Sequence, residues 1–583
     1  MTQLDHQDGL DSATDHEVDI LVVGSGAGAL TSALTAAIEG ADVLVVEKAS
    51  RYGGTSASSG GAVWIPNSED ARRKGFTDSP QDAHSYMSSL VGDTVPADRV
   101  QAYLDQAPRM LAYMEARTHV AYEACAYPDY CMDKPGAKTG GRTHDPSPIM
   151  ADRLGTEFAK LEPPHPLVLT FGRFSWTLAE AKLMATMSPG AKPMLAKLIA
   201  RYLADIGWRL RTRRSRRLTG GNALLARLKL SLDEQGVPIW LDTPMISLIR
   251  QGAEITGAKV FHGGKTVSVR ARRGVFLGSG GFDHNLNLRE KYLPAPTGRW
   301  SAGVVSNTGI ALEAGEAVGA ATDRLASAWR TPGFFLENED RPRPLFMERS
   351  LPFSLVVNQA GKRFMNEAAS YHDAGNLIYQ ANGPDAGTIP SWLIFDAKYR
   401  SRYMVGLMIP GAPVMDRFLP EAMRKILRKS TTLAGLAVEI DVPKQALLQT
   451  VDRFNRMAKT GRDLDFQRGE SAYDRHFADL SVKPNPTLGP LEKGPFYAIP
   501  IYPCDLGTNG GLVTDAAGCV LDRQGQIIRG LYAFGNAASS VMGPSYPGAG
   551  ATLGPAMTFG WIAAHHALGK WERRGRKRQV AAR

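Results

Sequence analysis

Residues 18–47 constrain the fold of this chain more than any other segment. They read as a buried apolar strand, a glycine turn, a helix and a second strand that ends in Glu47. Such a unit presents the free N–H groups of the helix N-terminus to phosphates, and the acid holds a ribose hydroxyl. Gly24 permits the tight turn, Gly26 lets the backbone approach a pyrophosphate, and Gly28 allows close helix packing. The segment predicts a Rossmann-like dinucleotide-binding domain.

The sequence that follows favours a flavin over a nicotinamide. Residues 48–66 hold two glycine pairs, which let a loop lie along an extended cofactor that stays bound. A second glycine site, at 531–539, follows a short apolar strand and can close over the same ligand. The further residues that we predict to contact FAD are Ala29, Lys48, Gly53, Gly54, Thr55, Ser56, Gly60, Gly61, Gly280, Gly281, Gly535, Asn536 and Leu553.

Composition indicates a large enzyme without metal or disulfide chemistry. The 583 residues are 43% hydrophobic and 22% charged, which suits two or more domains. The four cysteines form no CxxC pair and the histidines show no metal spacing, so we expect no metal site. No run reaches the roughly 18 apolar residues of a spanning helix, and the N-terminus lacks the order of a signal peptide. The expected location is cytoplasmic.

Positive charge is concentrated in two places. The net charge is +10, with arginines crowded at 209–217 and basic residues at 570–578. No recognised nucleic-acid module accompanies them, so no nucleic-acid partner is expected. The first run follows a helical pattern whose apolar positions are Leu195, Leu198, Ile199, Tyr202, Leu203, Ile206 and Leu210. The 190–217 segment either packs on the protein itself or contacts the inner face of an anionic membrane.

The chain order predicts an α/β protein in which an α+β catalytic domain interrupts the FAD-binding domain. Helical patterns at 79–117 and 176–235 precede strand-like runs at 237–282, and glycine-rich strands return after about 505. The predicted division is a disordered tail at 1–17, the FAD-binding domain at 18–300 with a helical insertion at about 155–220, the catalytic domain at 301–505, the rest of the FAD-binding domain at 506–570 and a basic tail at 571–583.

From about residue 19 to about residue 565 the chain resembles the flavoprotein superfamily of fumarate reductases and 3-ketosteroid dehydrogenases. The opening glycine turn, GKRFMNE at 361–367 and GGLVTD at 510–515 are shared across that superfamily. Three stretches are similar to 3-ketosteroid Δ1-dehydrogenases in particular: YPDYCMDKPG at 127–136, NEAASYHDAG at 366–375 and MGPSYPGAGATLGPAMTFG at 542–560.

The charge of the predicted substrate site distinguishes this chain from the fumarate and succinate branch of the superfamily. A fumarate or succinate dianion needs cationic groups to hold it. The loop that carries an arginine in fumarate reductases reads GPSYPGAG here, which suits a neutral ketone. The segment after Glu47 also lacks the histidine to which succinate dehydrogenases of the membrane type attach their flavin. The resemblance therefore implies noncovalent FAD.

The resemblance also implies roles for individual residues in 1,2-desaturation of a 3-ketosteroid. The Tyr546 hydroxyl and the Gly550 N–H polarise the C3 carbonyl, Tyr371 takes the C2 proton, and a hydride passes from C1 to flavin N5. Tyr130 is the hydrogen-bond partner that tunes Tyr371, with Tyr127 as a supporting phenol. Tuning a tyrosine from a pKa of about 10 toward 7 takes roughly 4 kcal/mol from its neighbours. Electrons then pass to a quinone or other acceptor.

Three alternatives stay open from the sequence. The 3-ketosteroid Δ4-(5α)-dehydrogenases share much of this site, so the bond that is oxidised is less defined than the substrate class. A flavin reductase of small unsaturated acids shares the fold, although the arginine-bearing loop is missing. The amphipathic segment and its arginines also fit a noncatalytic, membrane-associated flavin-binding protein.

Overall fold

A computed structural model of the protein describes residues 14–169 and 172–571. Most of the two predicted tails lies outside these residues. The first strand begins at His16, so the prediction of disorder up to residue 17 was wrong for its last two positions. Glu17 is held there by ion pairs with Arg270 and Arg272 of a neighbouring strand.

The first large sheet carries the dinucleotide unit. The strand His16–Val23 lies parallel to both Val43–Val46 and Lys265–Leu277, and Ile527–Ala533 is parallel to the last of these. The sheet mixes this parallel centre with antiparallel edges. Its strands in spatial order are Cys519–Leu521, Ile527–Ala533, Glu254–His262, Lys265–Leu277, His16–Val23, Val43–Val46 and Ile239–Trp240, with Met245–Gln251 pairing beside Glu254–His262.

The second large sheet is antiparallel and comes from the middle of the chain. Its long central strand, Phe496–Thr508, is buried along most of its length and pairs with neighbours on both sides. The strands in spatial order are Arg343–Pro344, Ala328–Phe334, Phe496–Thr508, Ser391–Phe395 and Ser354–Val357, with Arg428–Ser430 also pairing with Phe496–Thr508.

Short strands and the helices complete the described fold. The short strands are Val63–Trp64, Thr143–Pro146 and Tyr122–Ala124 in one sheet, Thr322–Asp323 with Gly511–Leu512, and Ile149–Met150 with Arg217–Leu218. The α-helices are Ala27–Ile38, Gly54–Ser58, Glu69–Arg73, Pro80–Val91, Ala97–Arg117, Leu178–Thr186, Ala191–Ala204, Ile206–Arg209, Gly220–Glu234, Leu286–Tyr292, Ile310–Ala317, Tyr371–Gln380, Ala397–Arg402, Glu421–Ile426, Leu433–Glu439, Lys444–Thr460, Ala472–His476 and Leu553–Ala567. None of these helices has the length and apolar character needed to cross a bilayer.

The α/β fold with a Rossmann-like unit is confirmed, and the middle of the chain supplies a separate sheet as predicted. The domain boundaries themselves stay a prediction. Within the strand-like runs predicted at 237–282, one long strand, Lys265–Leu277, is the longest. Gly274 lies within this strand and has a φ of 147°. The pairing with the strand His16–Val23 shifts register just before Gly274.

Close packing against a second helix fixes the position of the first helix of the dinucleotide unit. Ala27–Ile38 packs against the C-terminal helix Leu553–Ala567. A Cβ at Gly28 would lie 2.7 Å from the Ala556 carbonyl oxygen, and one at Gly560 would lie 2.5 Å from the Gly28 oxygen. The two helices therefore touch through their backbones, and both helix N-termini reach the same cavity.

Candidate active site

A cavity of about 470 Å³ brings the predicted cofactor and catalytic residues together. One part of its wall is the glycine turn and the ends of the strands His16–Val23 and Val43–Val46. Another part is formed by tyrosines from three separate stretches of the chain. The cavity thus joins a nucleotide cradle to a phenol-lined chamber.

The glycine turn allows the backbone to follow the cavity wall closely. Gly24 has a φ of 103°, and a Cβ there would lie 2.6 Å from the Gly278 carbonyl oxygen. Gly26 caps the helix in an extended conformation with a φ of −70°, and the Ala27 N–H of the first turn donates to the Ser56 hydroxyl at 3.0 Å. The helix N-terminus lines the cavity and is a site for anionic groups.

Glu47 lies at the end of its strand, as the sequence predicts, and borders the cavity. Its carboxylate accepts hydrogen bonds from the Ser25 hydroxyl at 2.6 Å and the Ala49 N–H at 2.9 Å. Burial raises the pKa of Glu47, while the Ser25 and Ala49 bonds and the charge of Lys48 oppose the rise. Ser25 was missed by the sequence reading, although its place between two turn glycines is a signal that could have revealed it.

The cavity wall fits FAD. A Cβ built on Gly54 or Gly60 would meet nothing within 4 Å, and one on Gly26 would meet only the Ser56 hydroxyl, at 3.2 Å. The Ser279 hydroxyl is buried in the wall and has no hydrogen-bond partner among the described residues. A dinucleotide needs glycine backbone that it can approach closely and polar atoms that are free to hydrogen-bond it, and this part of the wall offers both.

Most of the predicted cofactor residues border this cavity. Those that do are Gly24, Gly26, Gly28, Ala29, Glu47, Lys48, Gly54, Thr55, Ser56, Gly60, Gly61, Gly280, Gly535, Asn536 and Leu553. Gly53 and Gly281 do not border it. Gly53 has a φ of 112° at a helix start, and a Cβ on Gly281 would lie 1.8 Å from the Thr508 hydroxyl. Backbone conformation and packing within the protein therefore account for glycine at these two positions.

Filling the cradle at Gly26 should release the cofactor without unfolding the protein. Gly26→Val keeps an ordinary φ and meets one movable hydroxyl, so its methyl groups enter the space beside the helix N-terminus. We expect FAD affinity to fall at least about a hundredfold, roughly 3 kcal/mol. The measurement is the ratio of flavin to protein absorbance after dialysis against known FAD concentrations.

Gly383→Val is the matched control, because Gly383 is exposed and an added Cβ meets nothing within 4 Å. It should retain FAD like the unchanged protein. Full FAD retention by Gly26→Val would show that the pyrophosphate does not lie against this turn.

Three tyrosines meet at the other part of the cavity. The ring centroids of Tyr130, Tyr371 and Tyr546 are 5.3 Å apart in each of the three pairs. Tyr130 stacks on Tyr546 with an interplanar angle of 15°, and Tyr371 stands edge-on to both. Tyr127 lies 6.2 Å from Tyr130 and also borders the cavity, as does Gly550. The five residues predicted for catalysis are therefore neighbours.

Backbone hydrogen bonds hold two of these tyrosine loops together. The Tyr130 N–H and the Tyr86 hydroxyl both donate to the Pro547 carbonyl oxygen, at 2.9 and 2.7 Å. The Tyr86 hydroxyl in turn accepts from the Cys131 N–H at 3.2 Å. Tyr86 thus joins the loop of Tyr130 to the loop that carries Tyr546 and sets the distance between their side chains.

At Gly550 this loop lies in close contact with the backbone of a neighbouring strand. Its φ is 99°, and a Cβ there would lie 2.5 Å from the Val63 Cα. The preceding carbonyl, of Ala549, accepts a hydrogen bond from the Thr143 hydroxyl at 3.1 Å. Any side chain at Gly550 would clash with the Val63 backbone and displace the loop.

Tyr371 comes from the second sheet's side of the cavity. It is the first residue of the helix Tyr371–Gln380, which packs on the strand Ala328–Phe334. Gly375 permits that contact, since a Cβ there would lie 2.7 Å from the Thr331 nitrogen. The Ser370 hydroxyl caps the helix by accepting from the Asp373 N–H. The cap and the close packing fix the position of the Tyr371 ring.

Burial and the hydrogen bond with Tyr130 act in opposite directions on the pKa of Tyr371. Burial raises the pKa of Tyr371 well above its usual value, and Tyr546 adds to the rise. Hydrogen bonding with Tyr130 lowers it, which is the sign predicted for that residue, but this effect is smaller than that of burial. Tyr130 itself is raised by burial and by the surrounding phenols. Tyr130 thus acts on the pKa of Tyr371 in the predicted direction, and burial opposes it.

The chamber around the phenols is apolar and carries no arginine among its lining residues, all of which belong to the described chain. The sequence analysis did not identify the residues that form its apolar wall, which are Leu167, Val168, Leu178, Phe346, Met347 and Phe477. His165 borders the cavity too, and burial lowers its pKa to about 3, with Arg341 and Arg343 adding to the shift. This wall suits an uncharged hydrophobic ligand.

The fold and the cavity define an FAD-dependent flavoprotein oxidoreductase. The family described as FAD binding domain matches residues 19–553. A 3-oxosteroid 1-dehydrogenase of Mycolicibacterium smegmatis is 40% identical over 94% of this chain and 97% of its own. By these measures the chain belongs to the 3-ketosteroid Δ1-dehydrogenase family.

Two further proteins bear on its site. The crystal structure of a 3-ketosteroid Δ1-dehydrogenase from Sterolibacterium denitrificans, in complex with 1,4-androstadiene-3,17-dione, is 43% identical with a TM-score of 0.91 and covers 95% of this chain and 100% of its own. A 4-oxocyclohexanecarboxylate 2-dehydrogenase of Sinomonas cyclohexanicum is 35% identical over 95% of this chain and 93% of its own. Both names describe enzymes that dehydrogenate a cyclic ketone.

Proposed function

We propose that this protein introduces a double bond between C1 and C2 of 3-ketosteroids. The observation that carries the proposal is the meeting of Tyr130, Tyr371 and Tyr546 in an apolar chamber that shares one cavity with the FAD cradle. The chemistry needs a polarised carbonyl, a base and a two-electron acceptor in one place. The family membership supports the same substrate class.

The proposed mechanism assigns two donors to the steroid C3 oxygen. The Tyr546 hydroxyl and the Gly550 N–H, four residues apart on one loop, hydrogen-bond this oxygen and stabilise the negative charge that develops on it. Donors fixed in advance in an apolar site stabilise such charge strongly, because they need no reorganisation. The polarised carbonyl makes the C2 proton acidic enough to remove.

Tyr371 then takes the C2 proton, and Tyr130 hydrogen-bonds the Tyr371 oxygen during the transfer. The apolar wall excludes water from the reacting carbons. FAD, when bound in the cradle, would supply the two-electron acceptor for the hydrogen that leaves C1 with its bonding electron pair. The roles of these residues are the same whether the proton and the hydride leave in one step or in two.

The charge of the chamber favours a steroid over a small keto acid. A carboxylate such as that of 4-oxocyclohexanecarboxylate requires a cation or several donors when it leaves water. The only ammonium group among the lining residues belongs to Lys48, which donates to the Thr308 hydroxyl at 2.6 Å beside Glu47 in the cofactor cradle. A fused, uncharged ring system matches the chamber better.

Anaerobic mixing of the FAD-loaded protein with a 3-ketosteroid that has a saturated ring A tests the proposal. Bleaching of the flavin absorbance and a 1,4-diene or 1-ene product support it. With substrate labelled at C1 and C2, a product that keeps both labels would exclude 1,2-desaturation and leave the Δ4-(5α) reaction. Reoxidation of the bleached flavin by fumarate-like acids alone would instead identify a reductase of unsaturated acids.

We also propose that a quinone-type molecule accepts the electrons in turn. Oxidation of a carbon–carbon single bond leaves the reduced cofactor to be reoxidised, and a quinone matches it as a two-electron acceptor. Anaerobic mixing of the steroid-reduced protein with a soluble quinone should restore the flavin absorbance. Absence of reoxidation by several quinones would overturn this part of the proposal.

We further propose that the protein lies in the cytoplasm and contacts the inner face of the cell membrane through the insertion. Of the apolar positions noted in the sequence, Leu198 and Tyr202 are buried against the protein, whereas Leu203, Ile206 and Leu210 are 50%, 60% and 84% exposed. The predicted single face is thus divided. The three exposed apolar side chains are close in sequence to the exposed arginines 201, 211 and 213, and such a surface fits an anionic lipid bilayer.

Leu178 and Ala181 of the preceding helix border the cavity, so a membrane-dissolved steroid would have a short route to the site.

Flotation with vesicles of anionic phospholipid tests this contact. The full protein should float at low salt and less at high salt, because the arginine contribution is screened. Leu203→Glu with Ile206→Glu and Leu210→Glu should remain at the bottom of the gradient. The matched control changes Val438, Leu464 and Leu480 to glutamate, which are 76%, 70% and 68% exposed elsewhere. Equal flotation of both triple variants would remove the membrane proposal.

A further inference from the structure

A threonine hydroxyl from outside the cavity holds one peptide group of the loop that carries Tyr546. The Thr143 hydroxyl donates to the Ala549 carbonyl oxygen at 3.1 Å. Thr143 lies on the strand Thr143–Pro146, is 1% exposed and does not border the cavity. Among the described residues this is the one hydrogen bond that the Ala549 carbonyl accepts. The hydroxyl therefore sets the direction in which this carbonyl points.

The Ala549 carbonyl and the Gly550 N–H belong to the same peptide group. Such a group is planar and trans, so its C=O and N–H bonds point in opposite directions. A carbonyl held toward Thr143 thus holds the Gly550 N–H away from Thr143. Gly550 is buried and borders the cavity, and within the described part of the chain its N–H has no hydrogen-bond acceptor. A backbone N–H left without a partner in a cavity wall is available to a ligand.

The loop itself does not fix the orientation of this peptide group. The Gly550 Cα is held in place, because a Cβ on it would lie 2.4 Å from the Val63 carbonyl carbon. Rotation of the peptide group between two fixed Cα atoms changes the φ of Gly550, which is 99° here. Glycine adopts positive and negative φ at similar cost. The bond from Thr143 therefore selects one of two orientations that the backbone allows.

The strand that carries Thr143 is a firm support for this bond. It is the middle strand of a three-stranded sheet, with Val63–Trp64 on one side and Tyr122–Ala124 on the other. The Thr143 carbonyl accepts from the Cys125 N–H at 2.9 Å, so the threonine backbone is bonded as well. A group held on a paired strand keeps its position more precisely than one on a free loop.

We propose that Thr143 is a positioning residue, whose hydroxyl orients the Ala549–Gly550 peptide group so that the Gly550 N–H donates to the C3 oxygen of the ketosteroid. This inference rests on the proposed function, which assigns that N–H to the C3 oxygen. The hydrogen bond from Thr143 also polarises the peptide group and makes its N–H a stronger donor. Without it the buried carbonyl lacks a partner, which favours rotation toward another donor and turns the N–H away from the substrate.

Thr143→Val and Thr143→Ser in the full FAD-loaded protein test this. Valine has nearly the size of threonine but no hydroxyl, and serine keeps the hydroxyl. For Thr143→Val we expect kcat for a 3-ketosteroid to fall about 10- to 100-fold, somewhat less than for the complete loss of an oxyanion donor. KM should stay within about threefold, because the ground-state carbonyl carries little charge. Thr143→Ser should keep kcat within about threefold of the wild type.

Infrared spectroscopy of a bound steroid gives a second readout that a purely structural role would not move. The ligand is a 1,4-diene-3-ketosteroid labelled with ¹³C at C3, which has no C1–C2 single bond left to oxidise. A carbonyl that accepts hydrogen bonds stretches at lower frequency than a free one. The frequency should therefore rise in Thr143→Val and return to the wild-type value in Thr143→Ser.

Adding Thr143→Val to Tyr546→Phe separates an effect on Gly550 from an effect on Tyr546. With the phenol hydroxyl gone, the Gly550 N–H is the remaining proposed donor to the C3 oxygen. The carbonyl frequency should then rise further when Thr143 is also changed. A rise that occurs only in the presence of the Tyr546 hydroxyl would show that Thr143 acts through Tyr546, and would overturn the inference.

Thr388→Val is the matched control, because the buried Thr388 hydroxyl also donates to a backbone carbonyl, that of Ile378, away from the cavity. It should change neither kcat nor the carbonyl frequency. Unchanged kcat and frequency in Thr143→Val would overturn the inference, whatever happens to thermal stability. If Thr143→Val does not hold FAD, Thr143→Ala, which also lacks the hydroxyl, decides by the same readouts.

The two readouts also distinguish failure of the inference from failure of the proposed function. If the wild-type protein binds the labelled diene but does not oxidise 3-ketosteroids, the proposed function fails and the carbonyl frequency still decides the role of Thr143. If it oxidises them and Thr143→Val is indistinguishable from the wild type, the inference alone fails. If it does not bind the diene, both fail.

Discussion

Tyr371→Phe should lower kcat for a 3-ketosteroid by about 10²- to 10⁴-fold, the usual contribution of a positioned acid–base group. The ring remains and still fills its place against Tyr130 and Phe346, so the chamber keeps its shape. KM should change by less than about threefold, since the substrate loses no donor to its carbonyl. The direct measurement is the rate of flavin bleaching in a single anaerobic turnover, which separates the chemical step from reoxidation.

Tyr379→Phe provides the control on the same helix. Its hydroxyl donates to the Pro296 carbonyl at 3.1 Å and does not border the cavity. This variant should bleach at the wild-type rate and hold the same amount of FAD. A Tyr371→Phe protein that retains FAD and bleaches at an unchanged rate would show that another group takes the proton.

Tyr546→Phe should reduce kcat by about 10²- to 10³-fold, or 3 to 4 kcal/mol, as expected when one of two donors to a developing oxyanion is lost. The buried ring keeps its contacts with Tyr130 and Trp329, so the effect comes from the hydroxyl. Binding of the substrate should weaken less than catalysis, because the ground-state carbonyl carries little charge. Steady-state kcat and KM with flavin content as the check on folding give the measurement.

The hydroxyl of Tyr532 bonds His566 at 3.0 Å outside the cavity, which makes Tyr532→Phe a suitable control. Tyr546→Phe and Tyr371→Phe combined should cost less than the sum of the two single effects, because both residues act on one proton transfer. Strict additivity of the two losses would indicate that Tyr546 acts on a step other than that transfer.

The cofactor half of the site was accessible from the sequence because its requirements are local. A strand, a tight turn and a helix start are set by residues near one another, and Gly24, Gly26 and Glu47 take the places that their spacing predicts. Gly281 shows the limit of this reasoning. It reads as a cofactor glycine, but the Thr508 hydroxyl, more than 200 residues later, occupies the space where its Cβ would lie.

The tyrosine half of the site depended on the family resemblance. Nothing in the local sequence distinguishes Tyr371 or Tyr130 from the other tyrosines of the chain. Their meeting is produced by distant contacts, such as the Pro547 carbonyl that accepts from both Tyr130 and Tyr86. The effect of burial on the pKa of Tyr371 was not accessible from the sequence for the same reason, since burial is a property of the assembled chamber.

The sequence by itself determined that this chain builds a Rossmann-like cradle for FAD, because glycine conformation and strand–helix order act over a few residues. Only the tertiary structure decided that Tyr130, Tyr371 and Tyr546 face one another and that Leu198 turns inward while Leu210 turns outward. Burial and charge depend on every group that packs around a side chain, and those groups come from all parts of the chain.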